Sequence, residues 1–190
     1  EQLKPFLRHE KCVAIGEIGL DYHYDFSPRA VQRQLFEAQM ALAAELHLPV
    51  IIHEREALTD TLAMLQAFRG QVTGVFHCFS NSVETARTVL NLGYDIALGG
   101  TVTFKNAHYA PLVAAYTPAD RLLVETDCPY MAPVPMRGHR NDSTFLRYTI
   151  ETIAALRNET FEETTAQTYQ NGCRLFGIPA SAVTSTTKGN

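Results

Sequence analysis

Five short, mostly apolar runs punctuate the chain, at positions 12–15, 49–52, 74–79, 94–98 and 121–125. None alternates cleanly between apolar and polar residues, so each predicts a strand covered on both faces, as in a parallel sheet. Between them the apolar positions return every three or four residues. Val31, Leu35, Ala38, Leu42 and Leu46 form one such series, and Leu58, Leu62, Leu65 and Phe68 a second. Val83, Ala86, Val89 and Leu90 form a third, and Leu146, Ile150, Ile153 and Leu156 a fourth. That spacing marks one face of a helix. Ser27-Pro28 predicts the cap and first turn of the first series. Gly93 predicts the stop of the third. Thr160 with Glu163 predicts a capping box, opening a last helix that ends at Gly177. Residues 1–11 predict a helix leading into the first strand. Residues 1–178 read as one domain, and the small, polar residues 179–190 as a flexible tail.

Strand-helix alternation of this regularity specifies an α/β fold with a parallel sheet. A doubly wound sheet and a barrel both satisfy it. The polar residues favour the barrel, because they stand at or just after the carboxyl ends of several strands, where barrel enzymes place their chemistry. A closed barrel needs eight strands and five are found, so about three βα units are expected before residue 1.

Composition narrows the function classes. No apolar run reaches the roughly 18 residues that span a bilayer, so no membrane association is expected. The opening residues have no signal-peptide pattern, and no initiator Met is present, so the amino terminus is expected upstream. The four cysteines, Cys12, Cys78, Cys128 and Cys173, are widely spaced, which predicts reduced thiols and a cytoplasmic location. A net charge of −4 gives no global attraction to nucleic acid, so a polyanionic substrate needs a local basic patch.

Four strand ends carry metal-type ligands: Glu17, His53, His77 and Asp127. Mixed carboxylate and imidazole donors suit zinc, manganese or magnesium. Each residue also has a plain structural use. A histidine beside a strand usually serves as a hydrogen-bonded core residue, an Asp after a strand as a helix cap, and Glu17 between glycines as a turn residue. The conjunction of four such residues at four strand ends favours metal. Glu125 lies two residues before Asp127 and on a strand points to the same side, so it is expected to support the site rather than bind the ion.

The segments Gly16-Glu17-Ile18-Gly19-Leu20-Asp21-Tyr22, Pro49-Val50-Ile51-Ile52-His53, Phe76-His77-Cys78-Phe79-Ser80 and Glu125-Thr126-Asp127-Cys128-Pro129-Tyr130 resemble the signatures of the TatD family of metal-dependent deoxyribonucleases, in that family's order. Arg137-Gly138-His139-Arg140-Asn141 resembles its basic loop, with His139 where Lys is usual. The resemblance implies a TIM-type (β/α)8 barrel, here represented by its last five βα units. It implies one or two divalent ions held by Glu17, His53, His77 and Asp127, and hydrolysis of DNA phosphodiesters with Asp127 and Glu17 in catalytic roles. The family also opens with an Asp-x-His-x-His strand, and no H-x-H occurs in this sequence.

Around that core, Arg137, His139 and Arg140 form the one local basic cluster near the site, and Arg55 follows His53 within reach of a phosphate. A solvated surface loop is the alternative for the cluster. Asp21 and Tyr22 are expected to orient Glu17, touch substrate or cap their loop, and His23 and Tyr24 to stack on bases or face solvent. His9, His47 and His108 are expected on the surface. DNA is thus the expected substrate and no protein partner is predictable. Two other readings remain open on sequence: hydrolysis of a small ester or amide, and an inactive remnant.

Overall fold

The computed structural model describes residues 3–180; of the expected tail at 179–190, residues 181–190 lie outside the described residues. In chain order the elements are α1 (Lys4–Leu7), β1 (Ile15–Asp21), α2 (Arg29–Leu46), β2 (Val50–Arg55), α3 (Leu58–Ala67) and β3 (Gly74–Phe76). They continue as α4 (Val83–Asn91), β4 (Tyr94–Leu98), α5 (Ala110–Tyr116), β5 (Leu122–Val124), α6 (Leu146–Arg157) and α7 (Phe161–Phe176). The five strands pair in parallel in the order β1-β2-β3-β4-β5. Sequential order with no reversal is the topology of a barrel segment, because a doubly wound sheet reverses direction at a switch point.

Strands β2 to β5 separate two apolar layers. Tyr94, Ile96 and Leu98 of β4 face the helices, in a core shared with Phe36, Met40, Leu65, Val89, Val113 and Ile153. Val75, Ala97 and Leu123 point the other way and meet Ile51, Leu175 and Phe176. Burial on both faces explains why the strands read as unbroken apolar runs.

Several boundaries differ from the sequence reading. The first strand runs over Ile15–Asp21 instead of 12–15, so Glu17 lies within the strand and not after it. The two glycines suggested a turn. The chain instead stays extended through them, with a register shift between Ile15 and Ile18. Gly19, at φ 142°, lies so close to β2 that a side chain there would overlap the His53 carbonyl oxygen. Bringing β1 this near to His53 requires glycine. β2 likewise extends past His53 to Arg55. α2 begins at Arg29 with Pro28 as its cap and no side-chain cap bond. Ser27 contributes only its carbonyl, which accepts from Gln32 Nε2 at 2.9 Å. The helix expected over 1–11 is short, and α5 was not foreseen because seven residues with a proline in the first turn show too little periodicity. The Thr160/Glu163 capping box and the left-handed Gly177 stop both form as expected.

Candidate metal centre

Register brings the ligands together. β1 and β2 pair with Gly19 opposite His53, and the His77 amide donates to the Ile52 carbonyl at 3.0 Å. One donor atom from each of Glu17, His53 and His77 then falls within 4.8 Å of the others. Glu17 Oε2 is 3.5 Å from His53 Nδ1, and its Oε1 is 3.3 Å from His77 Nε2. The imidazoles face each other with centroids 6.2 Å apart.

The opposite nitrogen of each ring meets a second carboxylate. His77 Nδ1 lies 2.7 Å from Glu125 Oε2, and His53 Nε2 lies 3.3 Å from Asp21 Oδ2. A neutral imidazole that donates its outer N–H to a carboxylate presents its inner lone pair to the centre, which fixes the tautomer and raises the basicity of the ligand. Glu125 Oε1 also accepts the Cys78 amide at 2.6 Å, pinning the turn after β3. The support expected from Glu125 is thus visible in its contacts. Asp21 orients His53 through one carboxylate oxygen and with the other accepts the His23 and Tyr24 amides at 3.0 and 2.9 Å, the loop-capping role among the several expected of it. The available signal was spacing, since residues 17 and 21 of one strand share a face. Tyr22 turns away and donates to Asp60 at 2.5 Å.

The electrostatics follow from this packing. The hydrogen bond from His53 is the main cause that holds Glu17 below the ordinary carboxylate range, with burial opposing it and the charge of His77 adding to it. The bond to Glu17 raises His53 above its ordinary value, against the cost of burial. For His77, burial is the largest influence and opposes the charge, yet Glu125, Glu17 and Asp127 together raise the imidazole. Burial pushes Asp127 up; His77 opposes this, and the neighbouring Glu125 and Glu17 add to it. One carboxylate and two imidazoles around one point, with further acidic side chains close by, form a nitrogen-and-oxygen donor set that fits a divalent cation.

Asp127 is not within the close triad but lines the same cavity, of about 300 Å³, together with Glu17, His53, Arg55, His77 and Met131. Its backbone sits at φ 52°, a left-handed conformation that aspartate adopts more readily than most non-glycine residues. The loop around it is held by Asn141, buried to 2% exposure, whose amide donates to the Thr126 and Tyr130 carbonyls at 2.6 and 2.7 Å. Asn141 closes the basic motif, and the sequence reading gave it no role because a buried carbonyl staple has no sequence periodicity. The other motif residues stand apart. Arg137 packs over the Phe104 ring at 4.0 Å and donates to the Ala132 carbonyl, while His139 and Arg140 are exposed and do not line the cavity. Arg55 does line it.

Residues 1–177 match the family model described as TatD related DNase. The chain belongs to the TatD family. Metal-dependent hydrolase YabD of Bacillus subtilis, described as uncharacterized, is 46% identical over 177 residues, covering 93% of this chain and 69% of that protein. The protein described as 3′-5′ ssDNA/RNA exonuclease TatD of Klebsiella pneumoniae is 37% identical, covering 96% and 72%. Among solved structures, the TatD homologue YJJV of Escherichia coli superposes with a TM-score of 0.86 at 34% identity, covering 94% of this chain and 70% of that one. The TatD-family chain is accordingly a metal-dependent hydrolase built on a segment of a TIM-type barrel. No helix among the described residues is long and apolar enough to cross a membrane.

Proposed function

We propose that this chain carries the metal-binding face of a phosphodiesterase that cleaves DNA. The convergence of Glu17, His53 and His77, with Asp127 on the same cavity wall, carries the proposal. One or two divalent ions, zinc, magnesium or manganese, would be held by these four residues. Such an ion supplies concentrated positive charge that acidifies water and polarises a phosphoryl oxygen. The protein does the remainder. Asp21 and Glu125 hold the imidazoles in their ligating tautomers. Asp127, raised by burial, is suited to accept the proton of the attacking water. Arg55 reaches into the cavity, where a guanidinium can hold a phosphate in bidentate fashion. Arg137, His139 and Arg140 are proposed to contact the substrate farther along its backbone. The family description and the naming of the Klebsiella relative support a nucleic-acid substrate.

The test is Asp127→Asn in the full-length protein, assayed with single-stranded DNA at saturating metal. Hydrolysis is expected to fall about 10²–10⁴-fold, the usual cost of losing a general base, with an unchanged melting temperature. Undiminished cleavage would remove Asp127 from the mechanism. Turnover of small esters without any DNA cleavage by the wild type would overturn the substrate assignment.

A further inference from the structure

A second cavity adjoins the metal cavity and takes no part in the chemistry described so far. It measures about 290 Å³, and Phe104, Asn106, Ala107 and Tyr109 are among its walls. Ser80 and Thr101 line it too, and the same two residues line the metal cavity. They form a shared wall. A molecule held at Glu17, His53 and His77 can therefore extend a second group past Ser80 and Thr101 into the neighbouring space.

The turn that carries Thr101 and Phe104 is pinned. A side chain at Gly100 would overlap the Met131 carbonyl oxygen, so this turn lies directly against the loop after β5. Thr103 Oγ1 donates to the Gly100 carbonyl at 2.6 Å and accepts the Val134 amide at 2.8 Å. The Arg137 guanidinium lies over the Phe104 ring at 4.0 Å and holds it in place. The Ala107 amide donates to the Phe104 carbonyl at 3.0 Å, closing the turn. A pocket built this way is largely formed before anything enters it, which lowers the entropic cost of binding. Its residues follow β3 and β4, and each of these strands is paired on both sides. Barrel units added beyond β1 or β5 would extend the sheet at its edges and leave these two turns adjacent.

The walls define the class of group that fits. Phe104 and Tyr109 offer ring surface, while Ser80, Thr101 and Asn106 offer hydrogen-bonding groups around it. Thr101 Oγ1 is buried and has no hydrogen-bond partner among the described residues, an arrangement that costs free energy until a partner arrives. An aliphatic group would fill the apolar space and leave the polar groups unpaired. A planar heterocycle satisfies both, with apolar faces and with donors and acceptors on its edge. The volume lies near the lower end of ligand sites, which suits one such ring system.

We infer that Ser80, Thr101, Phe104 and Tyr109 form a nucleobase pocket, which seats the base of the nucleotide whose phosphate lies at the metal centre. The inference rests on the phosphodiesterase reading and deepens it by naming where the enzyme holds a base. Phe104 and Tyr109 take the faces of the ring, and the Thr101 hydroxyl, between the two cavities, bonds its edge. Contact with a base also suits a chain of net charge −4, because it does not depend on counterion release.

Calorimetry on the metal-loaded full-length protein compares two monomers: thymidine 5′-phosphate, and the same sugar phosphate with hydrogen in place of the base. The wild type is expected to bind the base-bearing monomer roughly 5- to 150-fold more tightly, the range of one base-aromatic stack. Phe104→Leu plus Tyr109→Ala should bring that ratio close to one. Tyr109→Phe should preserve it. Thr101→Val keeps the shape of the wall and removes only the hydroxyl, so the ratio should fall about 2- to 12-fold, the worth of one hydrogen bond. Equal affinity of the wild type for both monomers overturns the pocket, as does a ratio that survives both Thr101→Val and the double substitution. Hydrolysis of thymidine 5′-(p-nitrophenyl phosphate) separates the two claims. A base-dependent affinity without cleavage of this diester sinks the phosphodiesterase reading and leaves the pocket standing. Cleavage by a wild type that binds both monomers equally sinks the pocket alone.

Discussion

The two ends of the sheet both gather acidic side chains, and they use them in opposite ways. At the amino-terminal end, Asp95 of β4 is 2% exposed and is held by Arg121 Nε and by Arg174 Nη2 at 2.8 Å. At the carboxyl-terminal end, Glu17, Asp21 and Glu125 are paired with His53 and His77. Guanidinium stays charged throughout the physiological range, so the Asp95 cluster is saturated and serves as a clamp between β4, the approach to β5 and α7. Imidazole can give up its proton. The carboxyl-terminal cluster can therefore exchange protons for a metal ion with the same side chains in place. A buried carboxylate marks a site only when its partners can change state.

The largest expected effect separates the clamp from the site. Removing both guanidiniums, as Arg121→Ala plus Arg174→Ala, leaves Asp95 buried without a cation and should cost about 3–5 kcal/mol of stability in urea denaturation. Asp95→Asn should cost less, because Arg174, with a side chain 51% exposed, can carry its charge into water. Metal affinity should be unaffected in both. Equal losses from the two variants would show that the clamp does not work through burial of the carboxylate.

Glu125→Gln should behave in the reverse manner. It keeps the shape of the side chain but weakens the anchor of His77. Metal affinity, read by chelator competition, should fall about 10–100-fold, with little loss of stability. Unchanged affinity would mean that packing alone orients His77.

The smallest effect reads the negative field at the ligand end. Burial, reinforced by Glu125, Asp127 and Glu17, pushes the Cys78 thiol up to about 12. At pH 8 in the metal-free native protein, iodoacetamide should modify the exposed Cys128 and leave Cys78 intact. A thiol raised in the folded state stabilises the fold while protonated. That contribution is complete below the ordinary value of 9.0 and declines as pH rises toward 12. Mass spectrometry showing equal modification of both thiols would contradict the burial and the field together.

Much of this contrast was legible in the chain, and unevenly so. The strands and long helices could be read because two-sided burial and one-sided packing impose periods on the sequence. Glu17, His53, His77 and Asp127 could be singled out as candidates because chemistry-bearing side chains recur at or near the ends of the apolar runs. The partners of those residues could be read less well. Asp21 was open between several roles, and Asn141 had none, because each acts on a residue far along the chain. The Asp95 clamp joins residues 79 apart in sequence, at Asp95 and Arg174, and nothing local announces it.

The sequence by itself determined the order of strands and helices, the chemical type of the four candidate ligands and the capping of α7. All of these depend on neighbours within a few residues. Tertiary structure alone decided which atoms of Glu17, His53 and His77 face one another, and that Arg55 lines their cavity while Arg137 packs on Phe104. It also decided that Asp21 serves His53. The reason is register. Parallel strands joined through helices are aligned by packing of the whole layer, and a shift of one residue would turn each of these side chains to the other face of the sheet.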